Sequence, residues 1–390
     1  MTHKPRVLHV IPSISHAHGG PSRAIRLMER ALANGAWECV TATTDDDGPG
    51  RHSGKLLGMP LKENGVVRWY FHKQMDFYKT SLGLGWWMLR HVRDFDLVHI
   101  HAMFSFSTLV ASWSARLYGV PYIIRPLGTL NRYGLTKRRP WLKRLSLSVF
   151  EGPALRHAAA VHFTSHDEQC EASQWASLMR GVVIPLGIEA AATVERAASP
   201  ERFPRLVGYR YILFVGRLDP VKNVDGLLRA FSDLATRWPT LRLLIAGDGA
   251  PDFVAQLKTL VWELGLVDQV VWAGHVQDEA KASLLAGATV FVLPSFSENF
   301  GIAAAEALMA GLPCVLGQGV AIARDVSAAG AGLAVAPDAA SIAAGLRQVL
   351  ADEPGRIAMG VAALRLAQEK YSVKSMGTNL VALYSEILKR

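Results

Sequence analysis

The chain has 390 residues, half of them hydrophobic, which is enough to bury two cores, and the length favours two domains over one. No apolar run approaches the ~20 residues of a membrane span, and the Val7 to Ile11 run is too short for a signal peptide, so the sequence predicts a cytoplasmic protein. Three scattered cysteines, Cys39, Cys170 and Cys314, argue against a disulfide framework or zinc site, and a net charge of +9 with a pI near 9.5 implies anionic partners: nucleotide phosphates, anionic lipid or nucleic acid.

In chain order, Arg6 to Ile11 reads as a first strand, followed by a loop holding His16, His18 and the pair Gly19-Gly20. Pro21 suits a first helical position. Ala24, Leu27, Met28, Ala31 and Leu32 then repeat at helical spacing until Asn34-Gly35. The double glycine reads either as a tight turn needing positive φ or as backbone that approaches a ligand and aims amides at it. His16 and His18 lack a third metal ligand, and they read as cleft or solvent residues. Trp37 to Thr44 is a second strand. The run Asp45-Asp46-Asp47 beside Gly48-Pro49-Gly50 contains the D-x-D pattern of metal-dependent nucleotide sites, but with no third ligand it reads as a solvated loop.

An irregular basic stretch precedes a helix over Tyr78 to Arg93 and a strand over Asp96 to His101. Alternation puts His99 and His101 on one face, and His101 stands at the carboxyl end, where ligands collect in open parallel sheets. A helix over Phe106 to Tyr118 and a strand over Val120 to Arg125 follow. The cations of Lys137 to Arg144, interleaved with Trp141, Leu142, Leu145 and Val149, fit either an anionic membrane surface or a solvated face. Ala159 to Thr164 and Gly181 to Gly187 close the first half, and the pattern-poor stretch from Ala190 to Pro204 places a linker.

Strands over Tyr211 to Val215, Leu241 to Ala246, Val270 to Trp272 and Ala288 to Leu293 alternate with helices in the second half. Two doubly wound α/β sheets are therefore predicted. Arg217 and Lys222, after the first of these strands, stand where two cations could hold a diphosphate leaving group. After the fourth strand comes Ser297 to Glu306, with Glu298 in a loop and Glu306 two turns into an Ala-rich helix ended by Gly311 and Pro313. At ~3.6 residues per turn the two carboxylates would lie roughly 80° apart even if both were helical, which is poor geometry for an acid/base pair. The amides near Asn299, Phe300 and Gly301 open the helix at its positive end, a place for phosphate. The plainer alternative makes Glu298 a cap and Glu306 a surface charge. No G-x-x-x-x-G-K-[ST] loop occurs, and no G-x-G-x-x-G opens a helix after a strand, which removes kinase and dehydrogenase readings.

The E-x7-E stretch from Glu298 to Glu306 with its flanking strand and helix, Gly216-Arg217-Leu-x-x-x-Lys222, the loops Ala246 to Gly249 and Gly274 to Asp278, Gly19-Gly20, and Asp96-x-x-His99-x-His101 together resemble the retaining glycosyltransferases of family 4. The resemblance implies a GT-B fold, with two Rossmann-like domains facing across a cleft and a C-terminal helix crossing back to the first domain. Residues 1–190 with 371–390 would bind an acceptor, 191–208 would link, and 209–370 would bind a nucleotide sugar. It implies that Glu298 and His101 meet the transferred sugar, that Arg217, Lys222, Phe300, Gly301, Gly19 and Gly20 hold the diphosphate, and that Glu306, Val276, Asp278 and Lys281 hold ribose and base. No metal or other cofactor is implied. Asp278 and Lys281 would favour guanine, hence GDP-mannose over a UDP-sugar, unless they merely begin a helix. The expected reaction moves a hexose, mannose favoured, to a sugar or polyprenyl-linked acceptor in polysaccharide or glycolipid synthesis, at the inner face of a bacterial membrane if the basic segment docks there. An epimerase or phosphorylase on the same fold is the alternative. A nucleic-acid partner is not expected, because no recognition helix or aromatic-basic interleaving of that kind appears.

Overall fold

The computed structural model describes residues 4–33, 35, 37–130, 140–174, 179–189, 203–276 and 278–390. It divides into two compact units, Met1–Gly187 with Val373–Arg390, and Ile188–Ser372. Most of the stretch read as a linker, residues 190–202, lies outside the described residues.

The first unit is built on eight strands: β1 (Arg6–Val10), β2 (Glu38–Thr44), β3 (Pro60–Glu63), β4 (Val66–Phe71), β5 (Leu97–His101), β6 (Tyr122–Arg125), β7 (Ala160–Phe163) and β8 (Gly181–Val183). Their order across the sheet is β3-β4-β2-β1-β5-β6-β7-β8. All pairs are parallel except β3 with β4. That antiparallel pair corrects the irregular stretch expected before residue 78. Its turn, Asn64-Gly65, has φ of 50° and 82°, the left-handed geometry that Asn-Gly supplies in two-residue hairpins. The predicted helix over Tyr78 to Arg93 is shorter, Leu82–His91, with 3-10 turns on either side. The C-terminal helix, Val373–Leu388, belongs to this unit and packs on Gly20–Ala33. A Cβ on Gly377 would stand 3.0 Å from the Ala31 carbonyl oxygen, so glycine lets the two helices approach closely.

The second unit carries β9 (Tyr211–Val215), β10 (Arg242–Ala246), β11 (Val270–Gly274), β12 (Val290–Leu293), β13 (Cys314–Gly317) and β14 (Gly332–Val335), all parallel in the order β11-β10-β9-β12-β13-β14. Tyr211-Ile-Leu-Phe and Val290-Phe-Val-Leu are buried throughout, as strands with helices on both faces must be.

The strand order locates the crevices. In the second unit the chain runs outward from β9 through β10 and β11, then returns beside β9 as β12 and runs outward the other way. In the first unit the same reversal falls between β1 and β5. Crossovers on either side of such a switch point leave on opposite faces, and the loops at the carboxyl ends part to admit a ligand.

Candidate active site

The switch point of the second unit brings together the loops after β9 and β12. Asn223, at φ 56°, is the hinge of the first loop. It is 2% exposed, and its amide donates to the carbonyls of Pro294 (3.1 Å) and Pro337 (2.6 Å). The Phe296 amide donates back to the Val221 carbonyl at 2.9 Å. Lys222 is thereby held against Glu298, and the two form an ion pair with side chains 17% and 18% exposed. Glu298 itself is pinned through its backbone: its amide donates to Gly319 and its carbonyl accepts from Ala321. A Cβ on Gly319 would lie 2.0 Å from the Phe296 carbonyl oxygen, so only glycine admits the β12 loop at this distance. Arg217 is exposed on the same β9 loop.

Gly301 opens the helix Ile302–Met309 at φ 89° without any side-chain cap, which leaves first-turn amides for an outside acceptor. Phe300 contributes backbone only. Its ring is buried edge-on against Tyr371, with centroids 5.6 Å apart. Glu306 lies one turn into the helix, not two, because the helix begins at Ile302. It is not a surface charge either: it is 8% exposed and accepts from Lys281 Nζ at 2.8 Å. Lys281 stands in the first turn of the helix Asp278–Gly287, and Val276 is half-buried just before it. The Asp278 side chain lies outside the described residues. The loops after β9, β10 and β11 are stitched in turn, Leu218 N to Asp248 O at 2.8 Å and Gly247 N to Gly274 O at 2.7 Å. A Cβ on Gly247 would sit 1.8 Å from the Gly216 carbonyl oxygen.

The first unit's switch point gathers Gly19, Gly20 and the end of β5. Gly19 has φ 62°, which is the tight-turn geometry, and Gly20 begins the helix. His101 departs from expectation. It is fully buried, its Nε2 stands 2.8 Å from His9 Nδ1, and the rings stack with centroids 5.0 Å apart. Its imidazole has no surface to offer a sugar. Behind it, His99 bonds Tyr384 of the C-terminal helix (2.7 Å) and meets His162 at 3.3 Å. Burial, followed by the Arg125 charge, pushes His9 and His162 down to about 3, so these rings are neutral links in a buried polar core. The two loop residues Ala102 and Phe104 follow at φ 82° and 55°. Glu151 braces them by accepting the Phe104 amide at 2.9 Å. Burial pushes Glu151 up to about 7 against that bond. It sits in a π-helical turn, Leu147–Glu151, a distortion that often marks functional positions.

Residues 196–365 match the family of group 1 glycosyl transferases, and residues 19–187 match the glycosyl transferase 4-like domain. The chain belongs to the group 1 glycosyltransferases. Its relatives include the phosphatidyl-myo-inositol mannosyltransferase of Mycobacterium leprae, 30% identical over 57% of this chain and 55% of that one, and the 2-deoxystreptamine glucosyltransferase of Streptomyces kanamyceticus, 27% identical over 56% and 58%. The D-inositol 3-phosphate glycosyltransferase of Mycolicibacterium smegmatis is 39% identical over 31% of this chain and 28% of that one. The chain thus spans about a quarter to three fifths of the length of the curated relatives it matches. Among solved structures, sucrose-phosphate synthase from Thermosynechococcus elongatus superposes with a TM-score of 0.77 at 20% identity, over 99% of each chain. Anabaena HepE in complex with UDP superposes at 0.79 and 16%, over 98% of this chain and 100% of that one. These likenesses establish the GT-B fold.

Two features of this group 1 glycosyltransferase correct the sequence reading. Asp45 and Asp46 do not lie in a solvated loop: they are 4% and 1% exposed. Lys73 Nζ pairs with Asp46 at 2.6 Å, Lys79 joins at 3.0 Å and His18 at 2.9 Å. The missed residues, Asn223 and Glu151, carry no motif. Asn223 alone had a signal, since Asn before a helix is a usual left-handed or capping residue.

Proposed function

We propose that the chain is a retaining hexosyltransferase that takes its sugar from a nucleotide diphosphate, GDP-mannose favoured, and passes it to a hydroxyl of a sugar or lipid-linked sugar. The observation that carries this is the convergence of Arg217, Lys222, Glu298 and the uncapped helix at Gly301 on one switch point. Two cations and a helix N-terminus stabilise a departing diphosphate without a metal ion. The bond from the sugar's anomeric carbon to the phosphate oxygen breaks, the acceptor oxygen bonds to that carbon from the same face, and the acceptor proton goes to a donor phosphate oxygen. Glu298, at the sugar end, stabilises the developing positive charge. His101 acts here as a positioning residue beneath the β5 loop, since its ring is enclosed. An epimerase or phosphorylase on this scaffold would work without a sugar acceptor, and product analysis with and without one separates the readings.

The base assignment rests on Asp278 and Lys281. A carboxylate can accept guanine's N1-H and exocyclic amine side by side, whereas uracil offers one ring N-H. Lys281 donates to Glu306 at 2.8 Å, which supports giving the two neighbouring roles at the base and the ribose. The Mycobacterium leprae relative is a mannosyltransferase, which supports this choice. GDP is therefore expected to bind more tightly than UDP in calorimetry, with Asp278→Ala narrowing the gap. Equal or tighter UDP binding would overturn the guanine assignment and make a UDP-sugar the leading donor.

We also propose that the first unit meets an anionic membrane surface. No described helix is long and apolar enough to cross a membrane. The helix Pro140–Ser146 and the turn after it present Trp141, Leu145, Val149 and Phe150, each more than half exposed. Lys137, Arg138 and Arg139 lie outside the described residues. The protein is expected to sediment with anionic vesicles and to leave them as salt rises. Equal binding to neutral vesicles, or binding to neither, would return this segment to a solvated face.

A further inference from the structure

Within the first unit, the ends of β2 and β4 carry a cluster to which the proposed transfer assigns no role. These strands are parallel neighbours, with Thr44 paired to Phe71, so the residues that follow them, Asp45 and His72, emerge side by side. The chain between returns His52 to the same spot. Asp46 pairs with His52 across an antiparallel bridge, and the Ser53 amide donates to the Asp45 carbonyl at 2.8 Å. Three side chains are thus placed by backbone pairing.

Their chemistry converges on one atom. The Lys73 amide donates to Asp45 Oδ1 at 2.8 Å. Asp45 Oδ2 faces both imidazoles, His52 Nδ1 at 2.9 Å and His72 Nδ1 at 3.1 Å. The rings stack with centroids 4.9 Å apart. All three ligand atoms lie within 4.8 Å of one another. The neighbouring lysines are engaged elsewhere: Lys73 Nζ and Lys79 Nζ pair with Asp46 and Asp76. The Asp45 side chain is 5% exposed, while those of His52 and His72 are 41% and 52% exposed and open one side to solvent.

We propose that Asp45, His52 and His72 form a site for a divalent transition-metal ion of the zinc class, with solvent completing the coordination. Metal–ligand bonds of about 2.0–2.2 Å in tetrahedral geometry set neighbouring ligand atoms about 3.3–3.5 Å apart. The two spacings from Asp45 Oδ2, 2.9 and 3.1 Å, reach this by opening a few tenths of an ångström, and the third lies within 4.8 Å, so small movements of half-exposed histidines complete the geometry. Two imidazoles and one carboxylate suit zinc, cobalt or nickel, whereas magnesium and calcium prefer oxygen donors. The Lys73 amide on the second carboxylate oxygen orients the ligand. Bound there, the ion would tie the ends of β2 and β4 and the loop that carries His52 into one clasp.

The test is zinc titration of tag-free, full-length protein stripped with chelator, followed by calorimetry and by thermal melting. Wild type should take one equivalent with a rise in Tm, and magnesium should give neither. His52→Ala and His72→Ala should each weaken binding at least ~10-fold, the lower range for losing even an outer-sphere partner. The double variant should bind at no more than background. Both histidines are exposed, so the variants should melt like metal-free wild type. Affinity for GDP should be the same with and without zinc, which separates this site from the donor reading. Absence of zinc binding by wild type, or equal binding by the double variant, would overturn the proposal.

Discussion

Lys222→Ala is expected to weaken nucleoside-diphosphate binding by about 10- to 100-fold, the equivalent of one charge-assisted hydrogen bond of ~1.5–3 kcal/mol, and to lower kcat by about 100- to 1,000-fold, as removal of a transition-state donor does elsewhere. Glu298→Ala should behave differently. Glu298 is the partner of Lys222, so a diphosphate that recruits the lysine must compete with that carboxylate. Removing Glu298 frees the cation. Nucleotide affinity should therefore hold or rise while turnover falls, if, as proposed, Glu298 is the group that stabilises positive charge at the sugar end. Calorimetry with GDP beside steady-state kinetics for both variants reads the split. Unchanged turnover in either variant would remove that residue from the transfer step. A shared, equal loss of affinity would mean that the pair is only a structural brace.

Glu29→Ala should be the most destabilising single change in the first unit, by about 3–5 kcal/mol. Glu29 lies on the buried face of the helix Gly20–Ala33, 1% exposed. Its carboxylate takes the Arg68 guanidinium and accepts the Thr41 hydroxyl at 2.6 Å. Arg68 reaches Glu63 as well, at 2.8 Å, and Tyr70 donates to the same Glu63 oxygen at 2.8 Å. Without Glu29 the buried guanidinium keeps only the more exposed half of its counter-charge, and Thr41 loses its acceptor. At roughly 2–4 °C per kcal/mol for a unit of this size, Tm should drop by about 10 °C. Replacing both Glu29 and Arg68 with methionine should restore most of the loss, since an apolar pair carries no unpaired charge. Thermal melts would contradict this account if Glu29→Ala shifted Tm by no more than a surface substitution does.

The strands that form the sheet centres were legible because they are buried on both faces and therefore written as continuous apolar runs, as in Val290-Phe-Val-Leu293. The hairpin of β3 and β4 was not. As the sheet's edge it carries Lys62, Glu63 and Arg68 among its residues, which hides the alternation, although Asn64-Gly65 was a sufficient turn signal. Asp45 and Asp46 read as solvated because three successive acids with glycine and proline usually are. The Asp46 carboxylate is met by Lys73 and Lys79, about thirty residues away, and that of Asp45 by His52, His72 and the Lys73 amide, and nothing beside the acids in the chain announces those partnerships.

By itself the sequence determined the alternation of strands and helices, and it supplied the residues at the carboxyl ends of β9 and β12 that carry the family pattern. These follow from local periodicity and from glycines placed where the backbone turns left-handed at least steric cost, as at Gly301. Only the tertiary structure decided which charges meet. Lys222 finds Glu298 across 76 residues, and His101 turns inward to His9 across 92, because the reversal of strand order at β9 and β12, and at β1 and β5, sets distant loops side by side. Periodicity along a chain states which face a residue occupies and carries no information about which strand will lie next to it.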